Sequence, residues 1–149
     1  MGTVNLAAVV VSSGAQLPCV VETRDASGAC EIVVSVEGRS PLSAAGYDFE
    51  EALQGLRVRL ESEGLHLLCN RFRRDAFVSP TSRQMSNGLS CYLVRSGRPV
   101  DPEQIVPCLD PAHTSDVVSA SEAGSFIAQW KESAAAPALV RWFNRLVRR

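Results

Sequence analysis

Lysine is almost missing from this chain: Lys131 stands alone against fourteen arginines. Histidine is nearly as scarce, at two residues, and the five cysteines include no CxxC pair. Zinc frameworks need about four ligands at short, fixed spacings, so a metal site here would have to be gathered from distant segments. No metal or other cofactor is expected. The motifs GxxxxGK[ST], GxGxxG, GxSxG and HExxH are all absent, which removes the common phosphate-loop, dinucleotide, hydrolase and metalloprotease signatures. The apolar run near the N-terminus, Leu6 to Val11, is far short of the roughly 20 residues that span a bilayer, and no Lys or Arg precedes it. A cytoplasmic protein without a membrane span is expected.

What is present is globular. Hydrophobic residues at 46% and charged residues at 21% exclude a disordered or a membrane composition. At 149 residues the chain reads as one domain with enough length to bury a substantial core. Charge is uneven: residues 134–149 hold four arginines and no acid, so the net charge of −1 leaves −5 on residues 1–133. The excess of arginine over lysine suits bidentate contacts, although a GC-rich genome accounts for it as simply. The cysteines, an odd number mostly inside apolar runs, read as small buried hydrophobes rather than a disulfide framework.

Along the chain, residues 1–16 fit either an edge strand or a frayed terminus. Leu17 to Arg24 and Cys30 to Glu37 are rich in β-branched residues around Asp25-Ala26-Ser27-Gly28, which predicts a hairpin. Ile32, Val34 and Val36 form its inward face. Gly38 to Gly46 reads as loop. Asp48 opens the clearest helix, with Glu51 as its capping-box partner. Phe49, Ala52, Leu53, Leu56 and Leu60 make one apolar stripe, and Gly64 ends it. Glu50, Arg57, Glu61 and Glu63 then fall on a solvated face. Leu65 to Cys69 is a short strand; Arg71 to Gly88 is a polar, arginine-rich loop with a short apolar segment at Ala76-Phe77-Val78; Leu89 to Arg95 is another strand. Asp101-Pro102-Glu103 starts a helical turn. Ser119 with Glu122 caps a helix carrying Phe126, Ile127 and Trp130. Ala134-Ala135-Ala136-Pro137 breaks it, and a basic amphipathic helix follows over 134–149, with Trp142 and Phe143 on its apolar side. The order ββαββ(β)αα predicts an α+β fold, an antiparallel sheet with helices on one face. Residues 1–133 form the domain.

Few residues offer chemistry. His66 lies alone between leucines. Its i, i+3 partner Cys69 points to the opposite face of a strand, so no Cys/His dyad forms. Cys91 offers no partner, and Cys108 and His113 are separated by proline. The carboxylates are scattered, so no acid/base pair can be chosen and no enzyme is expected. The arginines Arg71, Arg73, Arg74 and Arg83 with Phe72 and Phe77 admit three readings: an acid-paired or solvated face, a protein-binding surface, or a single-stranded nucleic-acid groove. The acidic balance of the chain weighs against the last. The final helix packs on the domain, docks on a partner, or lies on an anionic membrane.

The residues Tyr47-Asp48-Phe49, Leu67-Leu68-Cys69-Asn70, Arg71 to Asp75, Ser79-Pro80-Thr81-Ser82-Arg83-Gln84-Met85-Ser86-Asn87-Gly88, Cys91-Tyr92-Leu93, Gly97-Arg98-Pro99-Val100, Ile105-Val106-Pro107 and Phe126-Ile127-Ala128-Gln129-Trp130 carry a resemblance. Over about residues 47–133 the chain resembles a family of small bacterial proteins of polymorphic-toxin and Rhs-type loci, where they are candidate immunity proteins. The resemblance implies a protein that binds and neutralises a cognate toxin effector, and not an enzyme. Arginine and aromatic side chains most often carry interface energy, so the contacts expected of a binding protein are Arg71, Arg73, Arg74, Arg83, Gln84, Met85 and Asn87, with Trp142 and Phe143 as further anchors. A single-stranded nucleic-acid binder using the same arginines is the first alternative, and an enzyme of unknown chemistry around Cys69, Cys91 or His66 the second.

Overall fold

The computed structural model describes the backbone of residues 2–147 and the side chains of residues 2–134. Strands β2 (Gln16–Ala26) and β3 (Ala29–Val36) form the expected hairpin. Its two loop residues, Ser27 and Gly28, both have positive φ, 54° and 78°. That backbone twists with the strands, which is why a two-residue loop ending in glycine closes them. Ile32 and Val34 are fully buried and Val36 nearly so.

Strand β1 (Gly2–Val10) pairs along the other side of β2, from Gly2 opposite Thr23 to Val9 opposite Gln16. It is neither an edge nor frayed, because a third strand pairs with it: β5 (Leu65–Leu67) returns antiparallel to it. β4 (Leu42–Gly46) completes an antiparallel sheet of order β4-β3-β2-β1-β5.

β4 corrects the loop expected over 38–46. Its residues Leu42-Ser43-Ala44-Ala45-Gly46 lack the β-branched and aromatic side chains that mark strands. They are small because helix α1 (Phe49–Ser62) passes directly over them. A Cβ at Gly55 would sit 3.3 Å from that of Ala44, and one at Gly46 2.6 Å from that of Glu51. The strand is therefore specified by the helix above it rather than by its own propensity.

The Asp48 side chain accepts from the Glu51 amide at 2.9 Å and starts α1, while Glu51 accepts from the Tyr47 amide at 2.8 Å. The stripe Phe49, Ala52, Leu53, Leu56 and Leu60 is buried against the sheet, and Gly64 at φ 71° follows the helix. Each fully buried leucine contributes about 1.5–3 kcal/mol by leaving water. Glu50 and Arg57, placed by the pattern on a solvated face, are buried instead. The segment after β5 folds over that side of the helix and removes it from water.

A second antiparallel sheet has the order β6-β7-β8, from β6 (Ala76–Phe77), β7 (Ser90–Leu93) and β8 (Ile105–Pro107). β8 stands where a helical turn is expected. Asp101 caps only a tight turn, accepting from the Glu103 amide at 3.0 Å, and the β-branched Ile105-Val106 then pairs with β7. Between β6 and β7 the polar loop is a helix, α2 (Pro80–Ser86). Ser79 and Ser82 cap it reciprocally, Pro80 occupies its first turn, and Asn87 ends it in the left-handed conformation at φ 55°. Serines and a proline that read as loop residues are here a helix start.

Helix α3 (Ala120–Val147) starts at Ser119, whose hydroxyl accepts from the Glu122 amide at 3.2 Å. It runs on through 134–137, where a break is expected; three consecutive alanines are the strongest helix formers and carry it past the proline. The side chains of Trp142 and Phe143 lie outside the described residues. The fold is α+β, with antiparallel sheets and three helices. No helix among the described residues is long and apolar enough to cross a membrane.

Candidate functional site

Asn70, Arg71 and Phe72 form a 3-10 turn. Residues 107–118 run alongside it: the Asn70 amide donates to Asp110 O at 3.0 Å, the Arg71 amide to Cys108 O at 3.0 Å, and the Asn70 side chain to Pro107 O at 3.1 Å. The turn is thereby anchored on both sides. It sends Phe72 into the core and Arg71 beneath α1, where Nε and Nη2 meet both Glu50 oxygens at 2.8 and 2.7 Å. Burial alone pushes the Arg71 guanidinium down, but Glu50 overcomes this and raises it above its ordinary value. Arg57 stacks on the Phe72 ring and donates to Phe72 O at 3.2 Å and Val118 O at 2.8 Å. Burial and the neighbouring Arg71 charge hold it below its ordinary value.

The remaining arginines of the segment are also engaged. Arg73 makes a bidentate pair with Asp75 at 2.8 and 2.9 Å and approaches Asp116 at 3.6 Å. Arg74 lies 5.4 Å over Phe126. Arg83 clasps Asp48, its Nη2 donating to Oδ1 at 3.1 Å and its Nε to Oδ2, and covers the Tyr47 ring at 4.9 Å. One carboxylate, Asp48, thus caps α1 and fastens α2 to it.

This fastening raises a platform. Tyr47 is 67% exposed and Met85 is 84% exposed, while Gln84 and Asn87 are also at the surface. The Asn87 side chain donates to Cys30 Sγ at 3.3 Å and the Asn87 backbone carbonyl accepts from the Phe49 amide at 2.9 Å, so the end of α2 is held against both α1 and the sheet. Of the seven loop residues expected at a contact surface, Arg83, Gln84, Met85 and Asn87 lie on α2 and its C-cap. Arg71, at 13% side-chain exposure, is inside, and Arg73 and Arg74 lie toward α3 and residue 116. Tyr47, aromatic and next to a helix cap, is the member of the platform that sequence reasoning missed.

A cleft of about 420 Å³ opens between α1, the 76–83 segment and α3. Gln54 and Arg57 of α1, Phe77, Ile127, Lys131 and the bare backbone of Gly124 are among its walls, with Glu50 and Arg71 also facing it. Of its α1 and α3 residues only Ile127 falls in a stretch that carries the resemblance. The other sequence signal is the spacing of Ala120, Ala123, Ile127 and Lys131 along one side of a helix.

The other candidate residues, His66, Cys69, Cys91, Cys108 and His113, are not among the walls of this cleft. His66 points away from the core side of β5, and burial lowers it from its usual 6.5. Cys69 is fully buried and burial pushes its thiol up to about 12. Cys91 and Cys108 are buried neighbours, each the largest influence on the other, which lowers the first thiol and raises the second; Cys108 Sγ donates to Gly88 O at 3.6 Å. His113 caps the turn Thr114–Asp116, accepting from the Ser115 amide at 3.2 Å. Among the described residues no group of three or more His, Cys, Asp or Glu is placed to hold a metal ion.

Acid should weaken the fold in two stages. The folded His66 binds its proton less readily than the unfolded one, so stability falls once pH drops below about 6.5 and levels off beneath the folded value. Burial tends to raise the Asp48 carboxyl, but Arg83 and the Glu51 and Glu50 amides outweigh it and hold it below its usual 3.8. Its contribution is complete above 3.8 and is lost as pH falls through the folded value. Urea midpoints measured against pH should show both declines. His66→Gln should flatten the first and Asp48→Asn the second; an unchanged profile in either variant overturns that assignment.

No family model matches the chain, and no curated protein matches it in sequence.

Proposed function

We propose that this chain is a protein-binding module of the immunity type, which neutralises a cognate bacterial toxin by seating its Tyr47–Arg83–Met85 platform on the effector and masking it. The observation that carries this reading is the platform itself. Two large side chains, Tyr47 and Met85, stand in water on a backbone held from both sides, and the arginine beside Tyr47 is already fixed by Asp48. Aromatic, Met and Arg side chains are the types enriched at interface centres, and a fixed arginine loses little further freedom on binding. The resemblance over residues 47–133 and the acidic balance of residues 1–133, which suits a cationic effector, point the same way. The nucleic-acid alternative is weaker because Arg71, Arg73 and Arg83 are paired with carboxylates, leaving little positive charge for phosphates.

The test avoids Arg83, whose loss would also uncouple α2 from Asp48. Tagged protein is used to capture partners from its native lysate, beside Tyr47→Ala and Met85→Asp, and the recovered partner is expressed with and without each form. The expected result is one stoichiometric protein whose toxicity is relieved by the native chain. Each variant should bind it at least about thirtyfold more weakly, the loss of a contact worth about 2 kcal/mol. A partner held equally well by both variants, or recovery of nucleic acid alone, overturns the proposal.

A further inference from the structure

The cleft between α1 and α3 adjoins the platform, with which it shares Arg83, but stands on different observations. Its volume of about 420 Å³ is that of a pocket for a small organic molecule. Phe77, Val78, Pro80 and Ile127 give it apolar walls. Arg57, Arg71, Arg83 and Lys131 face it against one carboxylate, Glu50. The three arginines are committed: Arg57 to backbone carbonyls, Arg71 to Glu50 and Arg83 to Asp48. Lys131 is different, because among the described residues no carboxylate lies within ion-pairing distance of it, and its Nζ rests 5.5 Å from the Phe77 ring centroid. A cation held over an aromatic wall at the rim of an apolar cleft is suited to an anionic group whose body lies on that wall. Gly124 contributes the room: a Cβ built there meets no atom within 4 Å. A glycine inside a helix costs about 1 kcal/mol relative to alanine, and here nothing in the packing of the fold requires it.

We propose that this cleft binds a small organic anion, a carboxylate, sulfonate or phosphate carried on an apolar or aromatic body. The anionic group meets Lys131 and the edge of the buried arginine cluster, and the body lies between Phe77 and the Gly124–Ile127 side of α3. The inference does not depend on the immunity reading, since the platform and the cleft can be disabled separately.

The probe is 8-anilinonaphthalene-1-sulfonate, an aromatic anion that fluoresces when it leaves water, titrated against the full chain beside its uncharged relative N-phenyl-1-naphthylamine. Saturable binding of one anion per chain is expected, with the uncharged relative at least about tenfold weaker. Gly124→Leu fills the cleft while improving helix propensity, so it should abolish binding without lowering the melting temperature. Lys131→Glu should weaken the anion about tenfold or more and leave the uncharged relative unchanged. Met85→Asp, which alters the platform alone, should leave both titrations as they are. Equal affinity for the two probes, or anion binding that survives Gly124→Leu, overturns the proposal; loss on Met85→Asp would place the dye on the platform and overturn it too.

Discussion

Arg71→Ala is expected to destabilise the protein by about 3–5 kcal/mol, read as the fall in unfolding free energy from urea titration. The size follows from what is left behind. Glu50 is 8% exposed, and in the variant its carboxylate keeps only the Gln54 amide at 3.1 Å as a side-chain partner. An uncompensated buried charge costs far more than the pair contributed, since the pair had to repay the desolvation of both ions. The companion variant Glu50→Leu/Arg71→Met should therefore recover most of the loss, because two apolar side chains of similar volume need no partners. Strong non-additivity between the single and double variants is the signature. If the double variant is as unstable as Arg71→Ala, the pair holds the 70–72 turn by its geometry and not by mutual neutralisation.

Gly88→Ala is the second large effect, at about 3–5 kcal/mol. Gly88 has φ 85°, where a Cβ is strained in any surroundings. Here the added carbon would also meet the Glu50 backbone nitrogen well inside van der Waals contact, with the Glu50 Cβ at 3.0 Å and Cα at 3.1 Å. Backbone at the first turn of α1 cannot swing aside as a flexible side chain can. Gly64→Ala separates the two causes. Gly64 has a similar φ of 71° but nothing within 4 Å of the added carbon, so it should cost only about 1–2 kcal/mol. Equal losses at both positions would show that strain alone, and not close approach, makes Gly88 necessary.

The comparison of these two glycines also shows where sequence reasoning stops. Gly64 was legible as a helix end because its role is local: it follows an apolar stripe that ends at Leu60. Asn87-Gly88 was legible as a turn, but the passage of α1 over it was not, since Glu50 lies 38 residues earlier. The hairpin at Ser27-Gly28 and the inward face of β3 were readable for the same local reason as Gly64. β4 was not, because its small residues answer to a helix that has not yet begun at that point in the chain. Glu50 and Arg57 looked solvated because a helical wheel sees only its own helix; the Arg71 turn and the 107–118 segment that bury them come later. The arginine cluster was visible as composition, yet its division among Glu50, Asp75 and Asp48 is a matter of tertiary approach. Tyr47 and Lys131 escaped because neither belongs to a pattern: one stands before a helix cap, and the other is the last residue of a spacing whose partners are alanines and an isoleucine.

The solitary lysine has a chemical corollary. Amine-acylating reagents, and enzymes that acetylate lysine, meet a single side-chain target in this sequence, and it stands exposed at the mouth of the cleft. Acetylation there removes one positive charge and one cation–π contact with Phe77 while leaving every carboxylate pair of the fold intact. The protein thus carries one chemically addressable handle, placed where a change of charge alters what can enter and leaves what holds the chain together untouched.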